Sequence, residues 1–304
     1  MAKESLYAAM FANFMLGVTK LVAGVLSGSA AMIAEAYHSF ADTFNQILLW
    51  VGIRRSYKKP DRSHPFGYQK VQFFWAFVVA ILIFGISGTL AFNEGLHRLQ
   101  SGDHEPLDST HLLWNLLVLG IGILLESFSS WTALKEVKAF QKKMKSEDLL
   151  DALDEMQDPV LLSVFVEDLL ALAGLVIAFV GTLLSFFLHD PFWDGLTSMV
   201  IGLLLMVGGL LLARENKRYL IGKSVHPTLF EKIKDAVGEF KGLKEIHDIK
   251  TMLLGPNDII LALDLEFNDE IERGDLAEHI DKLEEELISR FGFLKKEKIF
   301  IEVQ

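Results

Sequence analysis

The sequence predicts an α-helical membrane protein, a six-helix transmembrane bundle followed by a cytoplasmic α/β domain. Three observations carry this expectation. Six stretches, near 6–27, 31–53, 73–95, 112–134, 159–187 and 192–213, approach the roughly 20 mostly apolar residues a helix needs to cross a bilayer. Lys and Arg gather in alternate connections between them. Beyond residue 214 the long apolar runs stop, so the predicted division is 1–214 for the membrane part and 215–304 for the soluble part. Composition agrees: 51% of residues are hydrophobic and the mean hydropathy is +0.33, yet 23% are charged.

The first span reads as a retained helix and not a cleavable leader. Its apolar run outlasts a short hydrophobic core, Asn13 and Lys20 interrupt it, and it has no Ala-x-Ala-like site. In the second span, AAMIAEAYHSFADTFNQILLWVGI, the polar residues Glu35, His38, Ser39, Asp42, Asn45 and Gln46 recur at helical spacing. An ionisable group at the bilayer centre costs roughly 3 kcal/mol or more, so something must compensate it. His38 and Asp42, four residues apart, face the same way on a helix. That is the placement a divalent cation needs from one helix; the alternative is a buried hydrogen-bonded pair that only fixes packing.

Orientation follows from the short connections. The one after the second span carries Arg54, Arg55, Lys58, Lys59, Arg62 and Lys70, and the one after the fourth carries Lys135, Lys138, Lys142, Lys143 and Lys145. The 96–111 loop has only Arg98, beside Asp103, Glu105 and Asp108, and the turns at 27–29 and 189–191 have neither Lys nor Arg. The excess of positive charge places both termini and the soluble part in the cytoplasm.

In the soluble part, HPTLFEKIKDAVGE (226–239) repeats apolar positions at helical spacing behind a His226-Pro227-Thr228 start. Residues 246–254 and 259–267 flank the turn cluster Gly255-Pro256-Asn257-Asp258, and Leu261, Leu263, Leu265 and Phe267 alternate as in a half-buried strand. A second amphipathic helix fits 274–291 and a last strand 299–303, giving the order αββαβ. Residues 215–304 hold 14 Lys and Arg against 20 Asp and Glu, a net of −6 within the chain's −11. This acidity argues against nucleic acid as a partner and is compatible with cations. The chain has no cysteine, which removes disulfides, thiolate metal sites and thiol catalysis together. Any metal here is held by His, carboxylate or carbonyl.

Six spans with both ends inside, the His38-x-x-x-Asp42 motif and the αββαβ tail together resemble the cation diffusion facilitator family of divalent-metal transporters. Matching segments run nearly the full length: Asn13 and Lys20, Ser27-Gly28-Ser29, Pro60-Asp61 with His64-Pro65-Phe66-Gly67, and Ile246-His247-Asp248-Ile249-Lys250-Thr251. The resemblance implies a second His-x-x-x-Asp in the fifth span. Here that segment is Val164-Phe165-Val166-Glu167-Asp168, with Val164 where His is usual. The Asp158-Pro159 start, the Glu167-Asp168 pair and the charged segment before them are similar to the branch that contains the eukaryotic zinc transporter nine.

By this resemblance the metal site is His38, Asp42 and Asp168, with Glu167 or water as the fourth ligand. Glu167 lies about 100° round the helix from Asp168, so its longer side chain either reaches the site or faces another helix. Glu126, Asn45 and Glu35 are candidates for carrying protons or for holding ligands in place. A secondary site at Asp61 and His64 is weakened because Tyr68 stands at the second His position, and Asp61 could equally cap a turn. In the tail His247 matches a family ligand, but Leu263 and Ile301-Glu302-Val303 replace the others, so His226, His247 and His279 read as surface histidines and the tail as a dimerisation module.

What the resemblance implies is export of a divalent cation, Zn2+ first with Mn2+, Fe2+ or Co2+ as alternatives, in exchange for protons by alternating access in a homodimer. No resident cofactor is expected, and the expected location is a prokaryotic inner membrane. Loss of one imidazole leaves a donor set shifted toward harder ions. Two other classes fit the residues less well. An intramembrane metalloenzyme is disfavoured because no His-Glu-x-x-His is present. A channel is disfavoured because a few strong ligands hold an ion too long for rapid conduction.

Overall fold

A computed structural model describes residues 2–101, 109–144, 158–256, 258–268 and 274–304. The acidic residues of the 96–111 loop, the charged segment before Asp158 and the turn residue Asn257 lie outside the described residues. The chain divides into two compact units: Met1–Ile53 with Phe74–Glu136 and Pro159–Asn216, and Arg54–Phe73 with Lys217–Gln304 and the described residues of Val137–Asp158.

Among the described residues six long helical segments make up most of the first unit: α1 (Ala2–Ser27), α2 (Ala30–Ser56), α3 (Val71–Leu82) continuing through a π turn at Ile83–Gly88 into α4 (Thr89–Ser101), α5 (Ser109–Met144), α6 (Pro159–Leu188) and α7 (Phe192–Ile221). Helices run past the expected span ends where Lys and Glu, good helix formers, follow the apolar run, as in EVKAFQKKM at the end of α5. Among the described residues four segments, those at Val71–Ser101, Ser109–Lys142, Val160–Leu188 and Phe192–Ile221, are long and apolar enough to cross a membrane. The α2 helix is not among them because its polar stripe lowers its hydropathy. Large apolar side chains such as Leu113, Ile121, Leu124, Leu203 and Leu210 point outward, as lipid-facing surfaces do.

Small residues set the packing inside. Ala31, Ala34, Ala76, Ala80, Ala91 and Ala178 are buried with Leu175, Ile201 and Leu205. The α3–α4 segment and α7 approach backbone to backbone: a Cβ added at Gly202 would stand 2.7 Å from Phe92 Cα and 2.8 Å from the Gly88 carbonyl oxygen. Lipid tails are as apolar as Leu, so association in a bilayer relies on such close packing of small residues.

In the second unit α8 (Pro227–Gly238), β1 (Leu243–Gly255), β2 (Asp258–Phe267), α9 (Leu276–Arg290) and β3 (Ile299–Val303) follow the expected order. Strand order is β1-β2-β3, with β1 antiparallel to β2, for example Thr251 opposite Leu261, and β3 parallel to it, Leu263 opposite Ile301. Leu261, Leu263, Leu265 and Phe267 turn into a core shared with Ile233 and Val237 of α8 and Leu283 and Leu287 of α9. His226 opens α8 by accepting from Thr228 N at 3.4 Å, His247 pairs with Glu266 at 3.5 Å, and His279 meets the Asp275 carbonyl at 3.0 Å. Each tail histidine is thus engaged locally.

Candidate metal site

The α2 helix starts where Ser29 and Asp194 finish its backbone. Ser29 Oγ accepts from Met32 N at 3.3 Å, and the Asp194 carboxylate of α7 accepts from Ser29 Oγ at 2.6 Å, Ala30 N at 2.5 Å and Ala31 N at 3.4 Å. A carboxylate at these free N–H groups also opposes the positive helix end. From that fixed start the period of 3.6 turns Glu35, His38, Asp42 and Asn45 inward, and all four are buried.

A cavity of about 370 Å³ lies among α1, α2, α5 and α6. Its polar wall is Asp42 and Gln46 from α2, Glu126 and Ser129 from α5, Glu167 and Asp168 from α6, with Asn13 from α1. Val164 also lines it, so the position that usually carries His does face the same space. Glu167 and Asp168, neighbours in sequence, both reach the cavity because two other helices hold them. Asn45 Nδ2 donates to Glu167 Oε1 at 3.2 Å, and Ser129 Oγ donates to Asp168 Oδ2 at 2.8 Å.

His38 is not in the cavity wall. It is buried beside Asp42, with Nδ1 3.5 Å from Asp42 Oδ1, and among the described residues neither ring nitrogen has a hydrogen-bond partner. Asp42 Oδ1, Asn45 Oδ1 and Gln46 Oε1 are also buried without hydrogen-bond partners among the described residues. Buried polar atoms are normally satisfied by protein, water or an ion. Among the described residues no three His, Asp or Glu side chains stand close enough as they are to hold one ion. The structure therefore gathers Asp42, Glu167, Asp168 and Glu126 at one cavity and leaves His38 outside its lining, beside Asp42.

Glu35 is committed elsewhere. The Lys20 ammonium lies 3.0 Å from Glu35 Oε2 and donates to Ser39 Oγ at 2.8 Å, all buried. The second-span loop forms a tight turn in which Asp61 accepts from Ser63 N and Oγ, His64 N, Lys58 Nζ and Tyr68 Oη, at 2.7–3.0 Å. Those donors, Ser63 and Tyr68 first, hold the Asp61 carboxyl below its usual range. His64 Nδ1 is 3.8 Å from it. Both oxygens of Asp61 are spent on the turn it caps.

Sequence reasoning missed three of these contacts. Ser129 stands three residues after Glu126, the spacing of one helix face, and that signal was readable. A lone Lys in an apolar span needs a buried carboxylate, which pointed to a partner for Lys20 without naming it. The role of Asp194 carried no local signal, since its partners lie over 160 residues away.

The donors at the cavity are carboxylates, amides and hydroxyls, with one imidazole beside Asp42. That set suits a borderline to hard divalent cation. Residues 6–221 match the cation efflux transmembrane domain and residues 225–303 the cytoplasmic domain of cation efflux proteins. The chain is 29% identical over 249 residues to the mitochondrial proton-coupled zinc antiporter SLC30A9 of Xenopus laevis, covering 82% of this chain and 44% of that protein. It is 28% identical over 269 residues to metal tolerance protein C4 of Arabidopsis thaliana, covering 88% and 57%. To the magnetosome protein MamM of Paramagnetospirillum magneticum it is 32% identical over 144 residues, covering 46% and 44%. The chain thus spans about half the length of these relatives. With a transmembrane match over most of its length and a cytoplasmic match over the rest, the chain belongs to the cation efflux family.

Proposed function

We propose that this protein exports a divalent cation from the cytoplasm, Zn2+ first, in exchange for protons. The observation that carries the reading is the cavity where Asp42 of α2 meets Glu167 and Asp168 of α6, in a chain of the cation efflux family. The names of relatives, a proton-coupled zinc antiporter and a metal tolerance protein, support the ion and the coupling. Asp42, Asp168 and Glu167 ligate the ion from the cavity, and His38 completes the set by rotating toward Asp42. Four ligands of this mixed N and O type satisfy the tetrahedral preference of zinc. Asn45 keeps Glu167 aimed at the ion, and Glu126, on the same wall, carries the returning proton. Asp61 and His64 serve the loop turn in place of a second ion site.

Residues 1–214 form the transport domain and 215–304 the dimerisation domain, with both termini on the side of the basic connections, in a prokaryotic inner membrane. Alternating access exposes the cavity to each side in turn.

Proteoliposomes test this. The expected result is saturable Zn2+ entry with a change of luminal pH, both lost in Asp42→Ala and in Asp168→Ala. Flux that ignores the proton gradient and survives both substitutions sinks the reading and favours a channel.

A further inference from the structure

The Lys20–Glu35 pair sits beyond the cavity, on the same face of α2 one turn from His38 and two turns from Asp42. Lys20 and Glu35 are 1% and 0% exposed, so the pair is sealed in the bundle. The ammonium touches Glu35 Oε2 and Ser39 Oγ, while Glu35 Oε1 is buried with no hydrogen-bond partner among the described residues. That free oxygen faces α6 at Gly174, where an added Cβ would stand 2.7 Å from it. The Lys20 stem passes α5 at Gly122, where an added Cβ would stand 3.7 Å from Lys20 Cε. Helices α1, α2 and α6 therefore meet at the Glu35 carboxylate, and α5 passes the Lys20 stem.

Stability alone does not account for such a pair. Replacing a buried ion pair by apolar residues of similar volume is often neutral or stabilising, because desolvation offsets the attraction. A Lys ammonium is also a point charge on a flexible stem with freely rotating donors, so it can leave a carboxylate and return. The groups it holds are oxygen donors of the same type as those in the cavity wall, one turn from the imidazole of His38. A divalent cation moving from Asp42 and His38 away from the cavity meets Glu35 next.

We propose that Glu35 and Ser39 form a second divalent-cation station, occupied in this conformation by the Lys20 ammonium as a tethered competitor of the transported ion. This rests on the reading of the cavity as the main site. While Lys20 is in place the station is shut and the ion stays at Asp42. When Lys20 withdraws, the ion advances; when it returns, it displaces the ion and prevents re-entry.

The test is equilibrium dialysis of the purified full chain in nanodiscs against Zn2+ alone, with transport measured in parallel. Lys20→Met keeps the stem and removes the charge. It is expected to bind one more Zn2+ per protomer than the wild type and to transport at least tenfold more slowly, because the ion is no longer displaced. The extra ion should vanish in the double variant Lys20→Met, Glu35→Gln. If Lys20→Met does not fold, Lys20→Gln, whose neutral amide brings no charge to compete with the ion, is expected to show the same extra ion. Wild-type stoichiometry in the folded charge-free variant overturns the station, including the case in which Glu35 takes up a proton instead. Wild type that binds and transports Zn2+, beside a variant with no extra ion, leaves the main-site reading standing. Wild type that binds no Zn2+ overturns both.

Discussion

Asn45 of α2 donates its amide to Glu167 Oε1 of α6 across 3.2 Å, and this bond turns a carboxylate of ambiguous helical position toward the cavity. Groups that orient metal ligands typically change affinity by roughly 10–100-fold when removed. Asn45→Leu is therefore expected to weaken Zn2+ binding by about tenfold while leaving Asp42 and Asp168 in place. Titration calorimetry on the purified protein measures it. Unchanged affinity would remove Glu167 from the ligand set.

Val164 lines the same cavity as Asp42 and Asp168. Val164→His places an imidazole among carboxylates, and imidazole favours zinc over manganese. The expected outcome is a rise of about tenfold in the Zn2+ over Mn2+ preference, ~1.4 kcal/mol. A competition series reads it directly, and a preference that stays flat would show that the side chain at 164 does not reach the ion.

The Asp194 carboxylate joins the start of α2 to α7 and lies 3.7 Å from Arg98 Nε. Removing one partner of a buried ion pair leaves the other uncompensated, at a cost of roughly 3–5 kcal/mol. Asp194→Ala should lower the thermal midpoint sharply, and Asp194→Asn, which still accepts from Ser29, should lower it less. Equal midpoints for the two variants would mean that the charge, and not the hydrogen bonds, is what matters.

At the loop turn the sign of the pH dependence is fixed by the depressed Asp61 carboxyl. A carboxyl held below its unfolded value, about 3.9, contributes above that value and loses the contribution only as pH falls through its lower folded pKa. Amide exchange at Ser63 and His64, whose N–H groups donate to Asp61, should stay slow down to about pH 4. Asp61→Ala should speed it at neutral pH. Exchange in the variant as slow as in the wild type would show that backbone geometry alone holds the turn.

The six helical segments, the αββαβ order and the inward face of α2 were legible because each rests on local periodicity: apolar length for the spans, a period of 2 for Leu261, Leu263 and Leu265, and a period of 3.6 for Glu35, His38 and Asp42. The π turn at Ile83–Gly88 was not, since a wider turn inside an apolar run leaves the hydropathy unchanged.

The sequence by itself determined which residues could meet at mid-membrane, because burying an ionisable side chain in an apolar span demands a partner and few were on offer. Tertiary structure decided who meets whom. Helical angle left Glu167 undecided until Asn45 drew it in; Glu35, on the same stripe as Asp42, went to Lys20; and His38 faces Asp42 from behind the cavity. These choices depend on how the helices pack against one another through Gly122 and Gly174, and side-chain spacing along one helix carries no record of the neighbour it will touch.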